Sequence, residues 1–507
     1  MDSSANSVKP EHNDTTQGKL KNQNGETYPI VIDQLRPKIR YTDRLAEILI
    51  IIFVMIGAAL VGLGASFILL AIVVSGIVII VMLRWPHSGL IILFMVALFI
   101  SVEIGTGTEV TLNLTVMVIP ALLVIWVINM LVRREIRPVS SISFIPLGLF
   151  IVAALMSLAI GNVLWDPIVP KSSNFLLVQL AQWAIFALSA LVYLLSANLI
   201  NNEKKLRVIV FGFIAIAGFL SIINYFAGPD RLIGFVATIA LIRAPFWILL
   251  SSLVGGQLLF NRDLRWSWRL MSILTLLAVF LYTFIQERES VSNWVGVLTV
   301  AGLLVWLRWP KLRLPITILT AMLILTGILT QTLWNFGGGD SEWSTSGGSR
   351  IALITRVIDV TSANPVTGLG PAAYRKYAAL SPLAYGKAYW IDPAINAHNN
   401  YVDIYSQTGL VGLGLFLWFM VTVLMIGWRL LRRYQTGFVA GYVNGMIAAW
   451  FAVMAIMMLL DWFLPFVYNV GFPGFQASLL AWVFFGGLVA VESWPGNRDD
   501  KSFQNRQ

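Results

Sequence analysis

Three things are scarce in this chain, and each scarcity removes a class of protein. There is no cysteine among 507 residues, which excludes disulfides and thiolate metal sites and leaves the redox compartment unreadable from cysteine usage. Charged side chains make up 12% of the residues, about half the roughly 25% expected of a soluble domain. Histidine occurs three times, at positions 12, 87 and 398, so imidazole chemistry has few places to reside.

Apolar residues are abundant instead, at 58% of the chain, with a mean hydropathy of +0.78. Apolar stretches of about 20 residues recur from position 45 to position 491, each long enough to cross a ~30 Å hydrocarbon core as a helix. In lipid a helix satisfies its own backbone, so the expected fold class is all-α, a polytopic helical membrane protein. The run 45–83 is too long for one span and carries Gly62, Gly64 and Ser66 near its middle, which predicts two helices and a tight turn. Further spans are expected near 88–105, 111–132, 142–160, 175–199, 207–226, 243–261, 268–285, 291–308, 314–334, 408–429, 437–459 and 474–492. That makes about fourteen transmembrane helices (12–14). Residues 1–44 read as a disordered cytoplasmic tail with no removed signal peptide, 45–492 as the transmembrane domain, and 493–507 as a second cytoplasmic tail.

The net charge of +10 fits orientation in a bilayer. Neither a GxxxxGK[ST] loop nor a nucleic-acid module is present, so no nucleic-acid partner is expected. With the N-terminal tail inside, alternation of the spans puts 26 of the 35 Lys and Arg in inner segments, which is the positive-inside bias and sets both termini in the cytoplasm. One large external loop results, about 335–407. Its tryptophans and tyrosines, including Trp343, Tyr374, Tyr385 and Trp390, suit contact with membrane lipids. It opens on a Gly/Ser run and turns helical around RIALITRVIDVT, where apolar positions recur at three and four.

Within this frame the outer side holds few groups able to do chemistry. His398 is its only histidine, which makes no zinc site, since zinc needs three or four converging ligands; no bound metal and no cofactor are expected. With an ordinary pKa of ~6.5, His398 suits a general base on a hydroxyl; equally, it suits a loop residue that fixes a turn, and Asn399 fits either account. Arg243, in TIALIRAPFWILL, and Arg288, in FIQERESVSN, stand at the outer ends of spans. Such arginines either snorkel and pair at the surface or converge as a clamp for phosphate, which arginine binds in bidentate fashion. NPVTGLGP is a turn by composition: Pro365 and Pro371 remove donors while Gly368 and Gly370 allow positive φ. It reads as an elbow between a loop helix and a strand-like link, with anion binding by its amides as the alternative.

The order Arg350-IALITRVIDVTSA-Asn364-Pro365-VT-Gly368-L-Gly370, then Ala397-His398-Asn399, then a TGLVGLGLF span, resembles the signature of the O-antigen ligase and polymerase family of bacterial surface-glycan enzymes, over roughly 230–430. The resemblance implies a C-type glycosyltransferase architecture in the cytoplasmic (inner) membrane. It implies a polyprenyl-diphosphate-linked glycan as donor, a lipid or glycan (in some relatives a protein) as acceptor, and inverting, metal-independent transfer on the outer face. His398 matches the family's loop histidine, Arg350 its loop arginine, and Arg243 and Arg288 its arginines at span ends. Here Glu287 and Glu289 flank the second of these, and APFWILLSS follows the first where the family is rich in asparagine. Two rival functions start from the same residues. One is a transporter of a small anion such as bicarbonate; the other is an envelope-assembly scaffold.

Overall fold

Two helices of this protein touch protein on every side. The computed structural model describes residues 19–21, 27–29, 52, 67–100, 102–108, 110–134, 138–227, 238–241, 243–288, 290–327, 331, 350–380 and 396–494. The chain divides into two units, Met1–Ile80 and Val81–Gln507. In the first, strands β1 (Lys19–Lys21) and β2 (Thr27–Pro29) pair antiparallel within the expected tail. Helix α1 (Phe67–Arg84) begins in the first unit and ends in the second. The predicted turn at Gly62 and Gly64 lies outside the described residues.

The second unit holds helices α2 (Ser88–Phe99), α3 (Leu114–Arg133), α4 (Phe144–Val163), α5 (Phe175–Leu199), α6 (Glu203–Ala227), α7 (Thr238–Leu241) and α8 (Ala244–Phe260). They are followed by α9 (Trp266–Leu281), α10 (Val291–Arg308), α11 (Arg313–Leu325), α12 (Arg350–Thr361), α13 (Tyr374–Ala379), α14 (Asn400–Arg433), α15 (Phe438–Ile456) and α16 (Gly471–Ser493). Among the described residues nine helices are long and apolar enough to cross a membrane. The protein is therefore an all-α polytopic membrane protein. The expected span 88–105 is shorter than its apolar run: α2 stops at Phe99, and strands β3 (Glu103–Gly105) and β4 (Thr111–Asn113) form a hairpin. The intervening Thr-Gly-Thr suits a turn better than a helix.

Both enclosed helices follow from their sequences. Residues Ala244 to Gln257 of α8 are all buried, as is the apolar window of α16; neither has a polar face to turn outward, which is the mark of a core helix. The seventeen residues of α8 rise about 25 Å, short of a ~30 Å core. α8 packs most extensively on α15, and α16 on α5. Lipid supplies no hydrophobic drive for helices to associate, so close backbone approach through small residues does the work. A Cβ on Gly256 would meet the Gly441 carbonyl and the Gly445 backbone, and one on Gly486 would meet the Tyr193 carbonyl.

Helix α14 starts earlier than the sequence suggests, at Asn400, and breaks at Gly409 (φ 66°, ψ −169°). A straight helix would bond Leu410 N–H to the Ser406 carbonyl and Val411 N–H to the Gln407 carbonyl. Here the NPVTGLG elbow takes over. Leu410 N–H donates to the Pro365 carbonyl (2.9 Å), Val411 N–H to the Val366 carbonyl (3.2 Å), and the Ser406 carbonyl accepts from Leu369 N–H (2.8 Å). The fourth freed group, the Gln407 carbonyl, accepts from Ser157 Oγ of α4 (2.6 Å), which also reaches the Thr367 carbonyl (2.5 Å). Irregular backbone in a membrane protein needs such internal partners. Gly368 and Gly370 have φ of +75° and +100°, and a Cβ on Gly368 would lie about 2.5 Å from Gly409 N. Gly368→Ala is therefore expected to lower the thermal midpoint sharply, with strain of ~1–3 kcal/mol from φ alone plus the clash. Gly302→Ala, in open space on α10, is the matched control in a detergent melting assay.

Candidate active site

The site is assembled by residues 457–470, between α15 and α16, most of which fall in the loop expected between the spans 437–459 and 474–492. Its aromatic residues Trp462, Phe463 and Phe466 are buried, and Asp461 is fully enclosed among them. The segment is fixed from several sides. Gln182 of α5 donates to the Pro465 carbonyl (3.2 Å) and accepts from Val467 N–H (2.7 Å). Trp482 of α16 donates to the Phe463 carbonyl (3.3 Å) and stacks on the Phe463 ring, centroids 4.5 Å apart. Asp461 accepts from Phe466 N–H (2.8 Å) and from the Asn469 amide (2.6 Å).

Against this segment lies the AHNN turn. Asn400 donates to the Leu464 carbonyl (2.7 Å) while accepting from Phe463 and Leu464 N–H (3.0 and 3.2 Å), and its own N–H bonds the Met457 carbonyl. Asn399 caps α14 by accepting from Tyr401 and Val402 N–H, and its amide donates to the Met458 carbonyl (3.2 Å). A side-chain oxygen on the first free amides is the standard N-cap arrangement. Asn396 donates to buried Asp403 (3.3 Å) in the first turn of α14. Between these pinned asparagines His398 is half-buried with φ +47°, in the left-handed region that histidine adopts more readily than most residues. The turn is held by its neighbours Asn399 and Asn400.

Arg243 meets the same segment from the other side. It caps the N-terminus of α8 in an extended conformation, and its guanidinium lies 4.2 Å from the Trp462 ring centroid. Its Nε is buried and makes no hydrogen bond among the described residues. A cation at the positive end of a helix is unfavourable by itself, whereas an anion there is attracted by both the helix end and the arginine. Asp461 attracts Arg243 from the protein side, but its oxygens are already occupied by Phe466 and Asn469. Burial holds the Asp461 carboxyl above its ordinary value, and those two hydrogen bonds and Arg243 offset only part of that rise.

The remaining predicted residues are distributed as follows. Arg288 is exposed just after a π-helical turn, Tyr282–Gln286, four residues before Ser292, whose Oγ accepts from Trp462 Nε1 (3.2 Å). The Arg288 segment thus adjoins the residue that carries Arg243. Arg350 opens α12, and its side chain lies outside the described residues. Pro365, Gly368 and Gly370 form the elbow farther along α14, and a helix, α13, follows the elbow where a strand-like link is expected.

Three residues that sequence reasoning passes over are prominent here. Asp461, Asp403 and Arg356 are all nearly inaccessible, with Arg356 Nε donating to the Tyr374 hydroxyl (2.8 Å). Asp461 carries a readable signal, being a lone carboxylate in an apolar run, the feature that singles out Arg243. Among the described residues no three His, Cys, Asp or Glu side chains converge as a metal site would require. What the arrangement offers is a cation ready for an anion and an imidazole on a fixed turn, joined by one buried segment.

Part of the chain matches a known family. Residues 276–417 match the family described as O-antigen ligase, which bears out the resemblance read from the sequence. The matched stretch runs from within α9 to within α14; it takes in Arg288, the elbow and His398, and leaves out Arg243 and the 457–470 segment. No curated protein matches the chain.

Proposed function

With an O-antigen ligase match over residues 276–417, we propose that this protein transfers a glycan from a polyprenyl-diphosphate carrier to a lipid or glycan acceptor on the outer face of the bacterial cytoplasmic membrane. The observation that carries the reading is Arg243, a half-buried arginine at the positive end of α8 on the segment that also pins the His398 turn. An acceptor hydroxyl attacks the anomeric carbon as the carbon–oxygen bond to diphosphate breaks. His398 takes the hydroxyl proton, and Arg243, with Arg288 and Arg350 alongside, stabilises the charge that grows on the departing diphosphate. A single displacement inverts the anomeric centre. The proton and the charge are both accounted for without a metal.

The topology suits such a substrate, because the polyprenyl tail stays in lipid while the sugar reaches water. Fourteen passes with both termini in the cytoplasm place His398, Arg243 and Arg288 at one end of the bundle. Contacts between loops are consistent with that alternation: Arg429 pairs with Glu492 at 2.7 Å and Trp494 donates to the Ile200 carbonyl at one end, while Asn113 donates to the Phe472 carbonyl at the other.

Deletion of the gene tests the reading. Glycan is expected to accumulate on polyprenyl diphosphate, as full-length undelivered polymer for a ligase or as single repeat units for a polymerase. Unchanged lipid-linked pools, with purified protein inert on that donor, would reject glycan transfer.

A further inference from the structure

Beside the elbow, away from the two arginines, lies a cavity of about 390 Å³, within the size range of small-molecule sites. The end of α4 supplies Gly161, the following loop Trp165 and Asp166, the elbow Asn364 and Leu369, and α13 Tyr377. Among the described residues no Lys or Arg is in its wall. The nearby Lys171 is engaged beside it, donating to Asn162 and lying 5.0 Å from the Trp165 ring centroid.

The polar groups of the wall are built, and part of each is unused. Tyr377 is 5% exposed. Its hydroxyl accepts from Asp166 N–H (3.1 Å) but donates to nothing among the described residues, and burial raises its pKa so that the proton stays on. Asn364 Oδ1 accepts from Thr367 (2.9 Å), while its amide N–H₂ has no acceptor among the described residues. Asp166 Oδ1 accepts from Ile168 N–H (3.0 Å), which leaves Oδ2 for a ligand. Trp165 adds an apolar wall, edge-on to Tyr377 with centroids 5.0 Å apart. Two donors and a carboxylate beside aromatic carbon match a molecule with hydroxyls on its rim and C–H groups on its face. Phosphate suits it poorly, since it would meet the Asp166 carboxylate, and the neighbouring Lys171 is already engaged by Asn162 and the Trp165 ring.

We propose that this cavity binds one uncharged sugar unit of the glycan substrate, apart from the diphosphate. The inference rests on the reading above that the substrate is a glycan, and it adds where the sugar chain is gripped. The elbow is bonded to α14 at Ser406, six residues along from Asn400, or roughly 9 Å of helix rise. The cavity therefore lies a short stretch of glycan from the His398 turn, and the elbow couples the two. Whether the sugar belongs to donor or acceptor is decided by which Michaelis constant moves.

The probe is the water-soluble repeat-unit oligosaccharide released from the host's lipid-linked glycan by mild acid, observed by saturation-transfer NMR with purified protein. Wild type is expected to saturate ring protons of one sugar unit. Asp166→Asn and Asn364→Asp keep the internal acceptors for Ile168 and Thr367 while altering the groups left for ligand. Each is expected to weaken that signal and to raise KM for one glycan substrate about tenfold with kcat little changed, the effect of losing one good hydrogen bond. His398→Ala is expected to keep the saturation signal. Wild-type signal and KM in both cavity variants, or no saturation of wild type, overturns the cavity assignment while leaving transfer intact. Saturation that depends on Asp166 and Asn364 in a protein with no transferase activity keeps the cavity and removes the transfer reading instead.

Discussion

His398→Ala is expected to reach the membrane in normal amount and to transfer glycan about 10²–10⁴-fold more slowly than wild type, the usual range for loss of a general base. The backbone sharpens the control. At φ +47° an alanine carries a strain that asparagine tolerates better, so His398→Asn isolates proton acceptance from turn geometry, and His398→Gln tests the longer amide. Neither amide takes up a proton near neutral pH. Both are expected to be nearly as slow as alanine, measured with purified protein, lipid-linked donor and a chelator present. Substantial turnover by either amide variant would make His398 a turn-holding residue, although Asn399 and Asn400 already anchor that turn to residues 457–464.

Arg243→Lys is expected to lose transfer about 10²–10³-fold, the scale on which single transition-state donors act, and to do nearly as badly as Arg243→Ala. Lysine keeps a charge over the Trp462 ring but loses the planar fork that grips two phosphate oxygens. The two variants should part company in stability. Alanine leaves buried Asp461 without its attracting cation and is expected to lower the thermal midpoint, whereas lysine preserves most of it. Arg288→Lys, at an exposed position, is expected to impair transfer with no stability change. Near-normal transfer by Arg243→Lys would reduce Arg243 to a counter-charge for Asp461.

Nine of the expected spans are legible because lipid leaves few choices: twenty apolar residues in a row and a polar break can be read directly. The positive φ of Gly368 and Gly370 is legible in GLG between prolines for a similar reason, since few residues other than glycine sit there. What composition hides is how an apolar segment is used. Residues 457–470 carry mostly the same side chains as a span, yet they fold as a buried linker because Gln182, Asn400 and Asp461 satisfy their backbone, and those partners lie up to 285 positions away. The start of α14 is hidden likewise. Nine residues of helix precede Gly409, and nothing local announces that the break is repaired from residues 365–369. Asp461 was readable in principle, as an acid stranded among apolar neighbours.

The enclosure of α8 bears on how the chain is made. Its main neighbour, α15, begins at Phe438, so on a ribosome α8 emerges about 180 residues before the surface it packs against, roughly ten to forty seconds at ordinary elongation rates. Through that interval a helix too short to span the bilayer comfortably, with glycines facing lipid in place of glycines, has no final resting place. The bundle can close around Arg243 only when α15 and α16 arrive, which makes the stretch from Phe438 to Ser493 a gate on the protein's own biogenesis.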